Sequence, residues 1–275
     1  MIEWFIEPLR YSFFLKGLLA GVMVAAACGV LSGFIVWRGM AFIGDALAHA
    51  ILPGIVIAIM LGTHILIGAL AAAVISVIAI GALTNHRGFK EDTAIGVIFS
   101  GAFALGILLM NQVAGFKDLS HILFGNILGV SGFDLIMIIA VALIVITLVI
   151  LFYKELLVTS FDATHSMAIG LSPTLIHFGF LILVASTTVI ATQTVGVVMV
   201  LALLVTPAAT ASLLVKELPK IILLSIGFSV LSIFVGFYAS YYSDAPSGAS
   251  IVIVLTAFFI IAFVWSKIRE KAAVA

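Results

Sequence analysis

GLLAGVMVAAACGVLSGFIVW, residues 17–37, holds no charged side chain over a length sufficient for a membrane crossing. As a helix it spans about 30 Å, the thickness of a bilayer's hydrocarbon core. A second uncharged run, IVIVLTAFFIIAFVWS over 251–266, has the same character, and such runs recur throughout. The whole chain of 275 residues is 64% hydrophobic and 9% charged, with mean hydropathy +1.41. A water-facing surface needs about 25% charged residues, so the surface of this protein faces lipid. A β-barrel would show short alternating segments instead. The fold class is therefore an all-α membrane protein, a polytopic helix bundle with almost no soluble mass. The formal net charge of zero suggests neither nucleic acid nor an acidic substrate. Cys28, the single cysteine, excludes a disulfide within the chain. No basic segment with a small-residue cleavage site opens the sequence, so Met1 reads as mature sequence.

Charged clusters and turn residues divide residues 1–275, a single transmembrane domain, into nine spans. They lie near 12–37, 43–61, 64–84, 92–112, 133–153, 173–193, 196–215, 219–241 and 249–267. The seam at Thr192–Gly196 leaves an eight-span alternative, in which the 192–207 region re-enters the membrane. An outer N-terminus and an inner C-terminus place nine cationic side chains inside. These are Arg38, Arg87, Lys90, Lys154, Lys216, Lys220, Lys267, Arg269 and Lys271. Arg10, Lys16 and Lys117 fall outside, and a nine-to-three bias fixes the expected orientation.

Two connections exceed a turn. The outer loop, 112–132, reads as an amphipathic segment at the interface. The inner loop, 154–172, carries a helix signal that Asp162 caps and Gly170 ends in a left-handed conformation. Ser172-Pro173 then opens the next span. The pairs Gly17-x-x-x-Gly21 and Gly29-x-x-x-Gly33 permit close helix packing in the first span.

An ionisable group inside a membrane span is costly and points to function. The segment GDALAHAILPG, residues 44–54, places Asp45 and His49 four apart and thus on one helix face. A carboxylate and an imidazole there form half of a divalent-cation site, the rest coming from the bundle or a second subunit. Small residues around them leave room for an ion or a neighbouring helix. Pro53-Gly54 weakens the helix just beyond. The same pair could instead tie two helices together or relay protons. Among the other histidines, His64 and His121 fall at outer edges, as solvated loop residues or as metal-entry groups, and His86 and His165 read as solvated inner-loop residues. His177 reads as a satisfied packing residue early in its span. Asp118 could dock a partner or simply be solvated, and Asp244 reads as a turn former. The sequence contains no Gly-Lys dipeptide, so it has no phosphate-binding P-loop. It also has no His-Glu-x-x-His, Cys-x-x-Cys or nucleophile elbow, so it does not read as an enzyme.

With these residues in view, the chain resembles the permease subunits of bacterial ATP-binding-cassette importers for manganese, zinc and iron, the metal-type ABC-3 class. The resemblance runs through GDALAHAILPG (44–54), LSHILFGNILGVS (119–131) and Lys154–Gly170 with its Phe161-Asp162. It continues through GVVMVLALLVTPAA (196–209) and Ser243–Gly248. It implies a homodimer in the bacterial plasma membrane, in contact with lipid. It also implies two cytoplasmic ATPase subunits, where ATP is hydrolysed, and an extracytoplasmic metal-binding protein. Asp45 and His49 would bind the metal in transit, with no covalently held cofactor. Two copies of each could converge on the dimer axis. Oxygen plus imidazole favours Mn²⁺ and tolerates Zn²⁺ or Fe²⁺, while the lack of thiolate argues against copper(I). The 154–172 loop would couple to the ATPase through Asp162, Ala163, Met167 and Gly170, although FDATHSMAIGLSP only loosely matches the Glu-Ala-Ala signature of other importers. A proton-coupled secondary metal transporter is the alternative function. It would require several intramembrane carboxylates and often internal repeats, whereas Asp45 alone lies deep in a span and no repeat is clear.

Overall fold

The computed structural model describes residues 6–84, 90–112 and 127–274. Twelve α-helices are described, numbered here in chain order. They are α1 Ser12–Trp37, α2 Ile43–Ala50, α3 Leu52–Met60, α4 Ile65–Thr84, α5 Glu91–Met110 and α6 Gly132–Leu151. Then follow α7 Tyr153–Phe161, α8 Ala163–Ala168, α9 Pro173–Val195, α10 Val197–Leu214, α11 Leu218–Ser243 and α12 Ser247–Val274. Nine spans among the described residues are long and apolar enough to cross a membrane, with α2 and α3 together forming one of them. The helix is interrupted at Ile51, where Pro53 enters the first turn of α3 without an N–H to donate. Pro53 thus acts as expected from the sequence.

The seam near residue 196 resolves in favour of two spans. Gly196 alone separates α9 from α10, at φ +86°, a left-handed value that glycine adopts without steric cost. Val197–Leu214 is a full helix of 18 residues, so the re-entrant alternative does not form.

The first span is the axle of the bundle, packed against α11, α10 and α6. Its glycines explain why. A Cβ on Gly29 would approach the Ile226 Cα on α11 to 2.8 Å, and one on Gly33 would meet Ile222 Cγ1 at 2.5 Å. In lipid there is little hydrophobic drive between helices, so this backbone proximity supplies the dispersion contacts that hold them. Gly54 and Gly68 repeat the device between α3 and α4, where each lies against the other's carbonyl. Pro207 removes one backbone donor from α10, and the neighbouring Ala208 N–H donates to Ser32 Oγ of α1 at 3.2 Å. By contrast, α12 leaves Ile253, Ile261 and Trp265 exposed, an apolar face for lipid or another subunit.

The inner-loop signals are realised in two helices rather than one. Asp162 Oδ1 accepts from the Thr164 and His165 N–H groups at 2.9 and 2.8 Å, which ends α7 and starts α8. Gly170, at φ +86°, closes α8, and its N–H donates to the Met167 carbonyl. Ser172 caps α9, with Pro173 in its first turn. Asp244 adopts a left-handed conformation at φ 49° after α11, the turn role expected of it. Of the 112–132 segment, 113–126 lies outside the described residues, as do His86, Arg87, Lys117, Asp118 and His121. Its described end contains a 3₁₀ turn, Ile127–Gly129, and a capping box between Ser131 and Asp134 that opens α6.

Candidate metal site

Asp45 and His49 share one face of α2, as their spacing requires. The His49 Nδ1 lies 3.0 Å from the Asp45 carbonyl oxygen and 3.4 Å from Asp45 Oδ1. Ala46, Ala48 and Ala50 are buried, whereas the His49 and Asp45 side chains remain 19% and 33% exposed. The small residues therefore seat the helix in the bundle, and the polar pair occupies its accessible edge.

Neighbouring helices reveal the depth of the pair. A Cβ on Gly44 would touch Leu204, about midway along α10. The His49 ring meets Phe99 and Phe103 of α5 edge-on, at centroid distances of 5.5 and 5.1 Å. Phe99 and Phe103 lie 8 and 12 residues beyond Glu91, roughly 12 to 18 Å along a helix with 1.5 Å rise. His49 thus stands at mid-height, although α2 is itself only eight residues long.

The geometry suits a ligand pair. If Nδ1–H donates to the Asp45 carbonyl, the Nε2 lone pair is free, the arrangement typical of metal-binding histidines. Alternatively, Nδ1 and Oδ1 both ligate. At metal–ligand distances of about 2.1 Å, a 3.4 Å separation corresponds to a ligand–metal–ligand angle near the tetrahedral value. No group of three or more His, Cys, Asp or Glu side chains converges among the described residues. Within one chain, Asp45 and His49 are thus the two candidate ligands at this place.

A second polar cluster was partly missed by sequence reasoning. Glu91 opens α5 and His177 lies in the second turn of α9, with Oε1 and Nε2 3.3 Å apart. His177 was expected to be a satisfied packing residue, yet its Nε2 is buried without a hydrogen-bond partner, as is Glu91 Oε1. Charge at the start of a span was the available signal for Glu91, but such residues usually serve as solvated helix ends. Nearby, Arg38 donates to Ser160 Oγ at 2.9 Å and Thr159 Oγ1 at 3.3 Å on α7. Its guanidinium also lies over the Phe180 ring, 4.7 Å from the centroid. Burial lowers the Arg38 pKa and the Glu91 charge opposes that shift; an arginine so placed stays cationic at neutral pH.

The four inner-loop residues lie together around α8. Asp162 is its cap, Ala163 its first residue, Met167 a 58%-exposed side chain and Gly170 its stop. His64 is exposed at the start of α4, where Nδ1 accepts from the Leu66 N–H at 3.4 Å.

The profile of the ABC 3 transport family matches residues 10–266, nearly the whole chain. The chain belongs to the ABC 3 transport family. It is 45% identical over 264 residues to the manganese transport system membrane protein MntC of Halalkalibacterium halodurans, covering 96% of this chain and 90% of that protein. It is also 35% identical over 263 residues to the chelated iron transport system membrane protein YfeD of Yersinia pestis, covering 96% and 89%. The solved structure of PsaBC from Streptococcus pneumoniae in complex with Fab is similar throughout. Its TM-score is 0.84 at 36% identity, covering 96% of this chain and 95% of that one. As a member of this family, the chain is an integral membrane permease.

Proposed function

We propose that this permease is the membrane subunit of an ATP-driven importer of divalent transition-metal ions, manganese favoured over iron or zinc, in the bacterial plasma membrane. The carrying observation is the Asp45–His49 pair, 3.4 Å apart at mid-height on a short helix. In this reading the metal is cargo, bound by Asp45 and His49 during transit. A homodimer contributes the same two residues from each copy, and water completes the shell. An oxygen and an imidazole hold manganese or iron without the grip that thiolates would impose. The interrupted helix at Ile51–Pro53 gives α2 a local hinge through which the pair could open or close. Names borne by relatives, manganese for MntC and iron for YfeD, support the metal class.

The coupling reading follows from α8, a capped helix protruding from the end of the bundle that also bears Lys154, Lys216 and Lys220. That end faces the cytoplasm under the nine-to-three lysine and arginine bias. Two ATPase subunits dock there, one on each α8, through Asp162, Ala163, Met167 and Gly170. An extracytoplasmic metal-binding protein delivers the ion at the other end.

The test is ATP-dependent ⁵⁴Mn²⁺ uptake into vesicles containing the permease and its ATPase. Asp45→Ala and His49→Ala are expected to abolish uptake while the complex still assembles. Full uptake by both variants would remove the pair from the transport path.

A further inference from the structure

We propose that Glu91 and His177 form a second divalent transition-metal site, separate from the Asp45–His49 pair and nearer the α8 end of the bundle. Glu91 Oε1 and His177 Nε2 lie 3.3 Å apart, brought together from α5 and α9. At that distance they are each other's ion-pair contact but do not align as a hydrogen bond, and both atoms are buried with no hydrogen-bond partner. Buried polar atoms are nearly always paired, and each exception requires an occupant or a role. An oxygen and a nitrogen at hydrogen-bond distance but out of hydrogen-bond alignment are disposed to share a third atom. At ligand distances of about 2.1 Å, a 3.3 Å separation gives an angle near 104° at a shared ion, as two adjacent ligands would show.

The surroundings supply what two ligands lack. The pair opens on a cavity of about 400 Å³ lined also by Arg38, Thr159, Ser160 and Thr174. It has room for the waters that Mn²⁺ or Fe²⁺ retains when protein ligands are few. Carboxylate with imidazole suits borderline divalent metals rather than copper(I). Arg38 is the opposing charge, close enough to Glu91 for the two to interact. Its Nε donates to Ser160 and its Nη2 to Thr159 and the Leu156 carbonyl, so the guanidinium is anchored to α7. A cation bound beside it is held weakly and released readily, as an exit station requires. Phe99 and Phe103, which pack on His49, lie 8 and 12 residues along α5 from Glu91, placing the two sites roughly 12 to 18 Å apart along that axis. The role as exit station rests on the proposed transport reading, whereas the site itself does not.

The experiment is equilibrium binding of Mn²⁺ to the purified permease–ATPase complex, read by the electron paramagnetic resonance of free Mn²⁺. The double variant Asp45→Ala/His49→Ala is expected to retain Mn²⁺ binding. Adding Glu91→Gln or His177→Gln should weaken that residual binding at least about tenfold. In the same background His177→Cys should shift preference from Mn²⁺ to Cd²⁺, with thiolate-to-cadmium absorption in the ultraviolet. A purely structural role would not produce that shift. Co-purification of each variant with the ATPase reports folding. The proposal is overturned if the double variant binds no Mn²⁺ up to millimolar concentration. It is equally overturned if Glu91→Gln and His177→Gln leave the residual binding unchanged, meaning that water bridges the pair. Failure of the transit reading looks different: wild-type binding would then fall with Glu91→Gln and not with Asp45→Ala/His49→Ala.

Discussion

Replacing Asp162 with alanine isolates the contribution of one helix cap to coupling. The carboxylate of Asp162 accepts from two backbone N–H groups, those of Thr164 and His165. These are two of the four donors that the start of a helix leaves without an internal partner. Helix α8 has only six residues, too few to be stable on its own propensity. Loss of an N-cap costs about 0.5–2 kcal/mol, and a doubly used cap belongs in the upper half of that range. If the ATPase recognises the formed helix, its apparent affinity scales with the fraction of time the helix is formed. A cost of about 1–2 kcal/mol then weakens association by at most about 5- to 30-fold, the limit being reached when the helix is already marginal. The assay is surface-plasmon binding of purified ATPase to nanodisc-held permease, with Asp162→Ala and Asp162→Asn in parallel. Asparagine caps nearly as well as aspartate, so Asp162→Asn should stay within about threefold of wild type. Equal damage from both variants would refute the argument, because the charge would then matter through direct contact with the ATPase. Wild-type binding by Asp162→Ala would refute it from the other side.

Cysteines placed at Ala163 or Met167 should cross-link to the ATPase; efficient links from residues 85–92 instead would move the coupling surface. Gly29→Leu should destabilise the folded permease severely, because its first added atom already collides with the Ile226 backbone. Gly227→Ala, which meets nothing within 4 Å, should instead be neutral or stabilising by up to about 1 kcal/mol, and thermal unfolding in detergent distinguishes the two. A tag on the C-terminus should react with an impermeant reagent only after cells are permeabilised; labelling of intact cells would reverse the topology and remove α8 from the cytoplasm.

The spans, the caps at Asp162 and Ser172, the stop at Gly170 and the Asp45–His49 face were all legible in sequence. Each depends on residues a few positions apart. A helix in lipid satisfies its own backbone hydrogen bonds, so hydropathy along one segment is nearly sufficient to define a span. A four-residue spacing likewise fixes which side chains share a face. Only the packed bundle decided how deep His49 lies, because Phe99 and Phe103 on another helix set that height. The sequence alternative of eight spans also ended there, at the one residue between α9 and α10, left-handed Gly196. The meeting of Glu91 with His177 was beyond reach of any local pattern. They are 86 positions apart, and their approach depends on how α5 and α9 are rotated and staggered. Those angles are set by side-chain packing between helices, where the sequence of one helix has no meaning until its neighbour is in place.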